Sequence, residues 1–196
     1  MAVLAQRLEA QLLAGPRPRD PVAVVGRMLA VQAQDGRGAR LAVRARSTGL
    51  TAADVDRALT DDRSLLITWL NRGTLHLVRT EDYPWLQALT APRLATGVAR
   101  RLGQEGVSPA AADRAVAAIE RILTEEGPLD RNRLRDQLRS EGAPVQGQAF
   151  VQLLALAAIR GLTVRGPMSG KQHQVVLVRD WIGEPKPVDR TCALAE

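Results

Sequence analysis

The stretch Val31-Gln-Ala-Gln-Asp-Gly36 sets two carboxamides, Gln32 and Gln34, two residues apart and directly before an aspartate and a glycine. A carboxamide is neutral and a poor base, but it hydrogen-bonds well through both its oxygen and its nitrogen. Two of them aimed at one point can hold a water or a polar group by geometry and dipole. Little else in the chain competes for a chemical role. His76 and His173 are the two histidines and Cys192 is the one cysteine, so neither an internal disulfide nor a Cys-based metal site is available. There is no nucleotide-binding Gly-rich loop, and no serine or cysteine nucleophile has a believable partner. Kinase, metalloenzyme and nucleophile-based hydrolase readings are therefore weak, and no metal or cofactor is expected.

How the glutamines point depends on what carries them. Asp20-Pro21 starts a helix, and its apolar stripe of Val22, Val25 and Met28 or Leu29 leads to position 32. On a continuing helix Gln32 lies on that buried stripe, where an amide without partners costs about 1–3 kcal/mol. Gln34 then points about 200° away, and the two converge only if the helix unwinds near Gln34, which Asp35-Gly36 favours. The blander alternative has Gln32 bonded to a neighbouring loop's backbone and Gln34 solvated at the helix end.

The charge pattern offers a partner. Of the 27 basic residues all but Lys171 and Lys186 are arginine, and the net charge is +6. That balance attracts polyanions, although an Arg-rich, Ala-rich proteome gives the same composition. Arg37, Arg40 and Arg44 fall at i, i+3 and i+7, and Arg131, Arg135 and Arg139 at i, i+4 and i+8, so each set makes a one-sided positive stripe. The first begins three residues after Gln34. Such stripes are either phosphate-contacting surfaces or solvated helix faces.

The elements that must position these residues are mainly helical. Aromatics are 3% of the chain, so the core is built from Leu, Val, Ile and Ala. Helices are expected over 3–14, from Asp20, over 37–45, and from the Thr51 cap. "LLITWLNRGTLHLV" then reads as a β-hairpin from Leu65 to Val78, turning at Asn71-Arg72-Gly73, and Thr80-Glu81-Asp82 caps another helix. After a weak stretch around Pro92, helices begin at Ser108-Pro109, at Asp130 and in "QGQAFVQLLALAAIRG", followed by a second hairpin in "LTVRGPMSGKQHQVVLV". Apart from the short first helix and the one capped at Thr80-Glu81-Asp82, three helices and a hairpin occur twice, which is the order of tandem winged helix-turn-helix units in a mostly α fold with short β-hairpins. The expected organisation is a first unit over 1–92, a connection over 93–107, a second unit over 108–183, and a tail over 184–196 that starts a further C-terminal region. In this reading Arg72 and His76 on the first hairpin, and Arg165, Lys171 and His173 on the second, decorate wings facing phosphate, although a lone histidine satisfied by backbone is at least as common for His76 and His173. No apolar run approaches the roughly 18–20 residues of a membrane span, and the N-terminus lacks a signal peptide's core. A cytoplasmic protein without a membrane partner is expected.

Taken in order, "VVGRMLAVQAQDGRGARLAV", "TAADVDRAL", "TWLNRGTLHLV", "RTEDYPWL" and "GLTVRGP" through "LVRDWIGEP" resemble the winged-helix DNA-binding family that includes the AlkZ and YcaQ type DNA glycosylases. The resemblance covers nearly the whole chain, and its most specific element is Gln32-Ala33-Gln34, which is similar to that family's catalytic Gln-apolar-Gln signature. It implies a monofunctional glycosylase acting on alkylated, cationic purines in double-stranded DNA, with interstrand crosslinks among its substrates, in the bacterial nucleoid. Gln32 and Gln34 would then hold the attacking water, with Asp35 as a helper. Family members are close to twice this length, which leaves a non-catalytic DNA-binding regulator as the alternative.

Overall fold

Capping residues fix where the helices start. In a computed structural model, which describes residues 2–170, 172–185 and 188–194, the Asp20 carboxylate accepts from the Val22 and Ala23 amides and opens α2 (Pro21–Met28), after a short α1 (Ala2–Ala10). β1 (Val31–Gln32) follows, then α3 (Gly36–Ala45) and α4 (Ala52–Thr60), the latter begun by a reciprocal Thr51/Asp54 capping box. The expected hairpin forms as β2 (Leu65–Leu70) and β3 (Thr74–Arg79). The second half supplies α6 (Pro109–Glu126), α7 (Arg131–Ser140), α8 (Ala149–Ile159), β4 (Thr163–Ser169), β5 (Gln172–Leu177), α9 (Val178–Ile182) and α10 (Arg190–Ala193), with α5 (Tyr83–Gln104) between the halves.

Three expectations change. The stretch 93–107, read as a connection, is helical as far as Gln104, because α5 runs straight through Pro92. Proline forgoes one backbone bond there, but Leu94, Val98 and Leu102 on the following turns are buried against the second-half helices, and that burial outweighs the local loss. Asp82 stands at the head of α5 without capping it, because its two oxygens take a bidentate ion pair from Arg79, at 2.6 and 2.8 Å.

The third change concerns the hairpins, which join each other in one sheet. β2 pairs with β4, and all strands form one antiparallel sheet in the order β1-β3-β2-β4-β5. The result is a largely helical fold around one small sheet. Because the sheet is covered on both sides, β2 and β3 are buried on both faces: Leu65, Ile67 and Leu77 pack with α2, α3 and α4, while Leu66, Leu70 and Val78 pack with Tyr83, Val164, Val176 and Trp181. Opposed residues share a face. The register therefore draws one row across all five strands, Val31, Leu77, Ile67, Arg165 and Val175, in which Arg165 is the charged member.

Candidate active site

The helix that was to carry the glutamines ends before them. Leu29 adopts φ 63° and its amide bonds back to the Gly26 carbonyl, which breaks the helical run and sends the chain into β1. Val31 and Gln32 pair with Leu77 and His76, and the Ala33 amide donates to the Leu75 carbonyl at 2.8 Å. The period is now two, so Val31 and Ala33 are buried while Gln32 and Gln34 are exposed together. Gln32 Nε2 donates to Gln34 Oε1 at 2.7 Å. This overturns both sequence expectations for the pair: Gln32 is not on a buried stripe, and the side chains meet because the backbone is extended, not because a helix frays. With one amide hydrogen bonded inward, Gln32 Oε1 and the second lone pair of Gln34 Oε1 remain to accept from a water.

Asp35 follows immediately and caps α3, its carboxylate accepting from the Arg37 and Gly38 amides, each at 3.1 Å. Both oxygens are thereby committed to the backbone. The arginine stripe on α3 divides. Arg37 and Arg44 are exposed, whereas Arg40 is folded inward, ion-paired to Asp56 and bonded to the Gly36 carbonyl at 2.6 Å. Arg40 thus ties α3 to α4 and leaves the outer stripe.

Two clefts meet at Gln34. The larger, about 640 Å³, lies between the β2–β3 turn, α5, α8 and the start of α7, and is lined by Arg72, Arg93, Arg100, Arg101, Arg131 and Arg165. The smaller, about 270 Å³, is lined by Gln34, Arg131, Asn132, Arg165 and His173. No carboxylate lines either cleft among the described residues. Arg72 sits exposed at the hairpin tip, as expected. His76 does not: it is buried, its Nδ1 lies 2.9 Å from the Thr74 carbonyl, and it stands opposite Gln32 in the sheet. Burial lowers its pKa first, and the Arg72 charge adds to that against the opposing Thr74 bond. His173 is likewise drawn inward, facing Gly36 at the head of α3, with Nδ1 3.3 Å from the Gly166 carbonyl; burial again leads in lowering its pKa. His76 is therefore an interior group, whereas His173 is half-buried in the wall of the smaller cleft.

The second stripe also divides. Arg131 lines both clefts and lies 5.4 Å from the Phe150 ring, Arg135 is half-buried with its Nε unpaired, and Arg139 turns outward to Asp136 at 3.0 Å. Arg165 lies over the Trp69 ring at 5.2 Å. Lys171 lies outside the described residues. Sequence reasoning missed Arg93, Arg100 and Arg101, whose i, i+7 and i+8 spacing puts them on one face of α5. The signal was present, but the neighbouring Pro92, Gly97 and Gly103 made the segment read as a connection.

These features can be set beside known proteins. Residues 25–196 match the family described as DNA glycosylase AlkZ-like. A curated relative, the interstrand DNA cross-link repair glycosylase of Streptomyces sahachiroi, is 31% identical over 199 residues, covering 94% of this chain and 52% of the relative. The solved structure of Streptomyces sahachiroi DNA glycosylase AlkZ matches with a TM-score of 0.80 at 27% identity, over 97% of this chain and 53% of its own. The chain thus spans about half the length of the relatives it matches. With residues 25–196 matched and the Gln-x-Gln stretch inside that span, the chain belongs to the AlkZ-like DNA glycosylase family.

Proposed function

We propose that this chain binds double-stranded DNA and hydrolyses the N-glycosidic bond of alkylated, cationic purines, including those joined in interstrand crosslinks, with Gln32 and Gln34 holding the attacking water. The observation that carries the reading is that Gln34, which lines both arginine-lined clefts, accepts from Gln32 Nε2 at 2.7 Å, with no carboxylate lining either cleft among the described residues. The chemistry suits a neutral pair. An N7-alkylated guanine or N3-alkylated adenine already carries positive charge, so its C1′–N bond breaks with the electron pair neutralising the base. The oxocarbenium-like sugar left behind is captured by water, whose oxygen bonds C1′ while its proton passes to solvent. Carboxamide oxygens orient that water and place negative dipole ends toward the cationic sugar. Unalkylated purines lack the charge that makes them leave.

On this reading the two groups of helices with their hairpins act as winged-helix units, the first over 1–92 and the second over 108–183, in a cytoplasmic, nucleoid-associated bacterial protein. Their shared sheet sets them edge to edge over one duplex, with Arg37, Arg44, Arg72 and Arg131 toward the phosphates. The test is release of N7-methylguanine from methylated duplex DNA by the chain and by a Gln32→Ala, Gln34→Ala variant of matched circular dichroism. Release by the parent alone is expected. No release by either, with duplex binding intact, would leave a DNA-binding protein without this chemistry.

A further inference from the structure

Two other inward-turned arginines find carboxylates: Arg40 meets Asp56 and Arg79 meets Asp82. Arg131 and Arg165, which face the clefts, do not. Neither has an ion-pair partner among the described residues, and the Arg165 Nε is buried without a hydrogen bond. Arg165 also occupies an otherwise apolar row across the sheet, where a charge without a counterion is costly. The two guanidiniums are supported from below by aromatic rings, Trp69 under Arg165 and Phe150 beside Arg131. Both line both clefts that converge on Gln34. Burial and the neighbouring Arg131 charge lower the pKa of Arg165 to about 10, the direction expected of a cation held without an anion.

We infer that Arg131 and Arg165 form a seat for one phosphodiester flanking the damaged nucleotide, and that this anion must be in place for a cationic base to enter beside Gln34. The inference rests on the proposed base-removal reading and adds a substrate requirement to it. Two adjacent guanidiniums repel an alkylated purine that is itself a cation, so the empty site excludes the free nucleoside. A phosphodiester between them supplies two oxygens to planar, fork-shaped donors and offsets part of the charge. The substrate is then defined as an alkylated purine within a phosphodiester chain.

The test uses duplexes containing one N7-methylguanine, with each nearby phosphate replaced singly by an uncharged methylphosphonate. Binding and single-turnover release are measured for the chain, Arg165→Met and Arg131→Met, with folding checked by thermal midpoint. One position is expected to weaken binding and slow release by about tenfold in the parent, the scale of one charge-assisted contact. The same replacement should have no further effect in Arg165→Met; if that variant does not fold, Arg131→Met carries the comparison. N7-methylguanosine as the free nucleoside should neither compete nor lose its base faster than in buffer. Equal small effects at every phosphate, or the same tenfold loss in both variants, would overturn the seat while leaving base removal standing. Absence of release with the single-position loss in binding intact would overturn base removal and support the seat.

Discussion

His76 and His173 are each held uncharged chiefly by burial, and this gives the chain a pH dependence of definite sign. Both have folded-state pKa values below the ordinary 6.5, so in the window beneath it the unfolded chain binds more protons than the folded one. Stability is therefore full above about pH 7 and falls as pH drops through 6.5 toward the folded values. A thermal midpoint that declines between pH 7.5 and 5.5, and declines less in a His76→Gln, His173→Gln variant, is the expected result. The same residues illustrate what was legible at this scale. That Gln32 and Gln34 could act as a pair was readable from type and spacing. Their convergence was not, because it depends on Leu29 leaving helical geometry, and an exposed leucine at positive φ has no signature in sequence. The interior placement of His76 was hidden for a related reason: alternation predicts which face a side chain takes, not what covers that face.

At the scale of elements, the proposed chemistry and helix capping draw on the same atoms. Asp35 spends its carboxylate on the α3 amides, which makes it a helix residue first. Asp35→Ala should cost about 1 kcal/mol, read as a lowered denaturation midpoint. Asp35→Asn keeps the cap and removes the charge, and is expected to leave both stability and N7-methylguanine release nearly unchanged. A large drop in release for the asparagine variant would instead give the carboxylate a chemical role. Helix starts at Asp20, Thr51, Ser108 and Asp130 were legible because each side chain bonds within a few residues of itself. α5 was not, because its continuity past Pro92 is decided by contacts with α8 distant in sequence.

For the whole molecule, the basic balance resolves into a located feature. Six arginines line the large cleft, and three of them, Arg93, Arg100 and Arg101, come from the helix that joins the halves. If duplex DNA follows that cleft, log K for binding falls linearly with log salt, and the slope should flatten by about 0.9 for each phosphate contact removed. Titrations of Arg93→Ala, Arg100→Ala and the double variant across a salt series measure this directly. An unchanged slope would place the duplex elsewhere on the surface. Net charge pointed to a polyanion, while the cleft itself exists only because α5, α7, α8 and the sheet are brought together. The separate helices and the two hairpins were readable; the joining of both hairpins into one sheet was not, since strand pairing between segments so far apart leaves no local pattern.

That joining has a consequence during synthesis. Ile67 in β2 finds its sheet partner at position 165, so a chain emerging from the ribosome completes its first hairpin long before the strand that covers its outer edge exists. At about 5–20 residues per second, the apolar edge of β2 stands open for roughly 5–20 s. For that interval the nascent chain presents the kind of unpaired strand that recruits neighbouring chains.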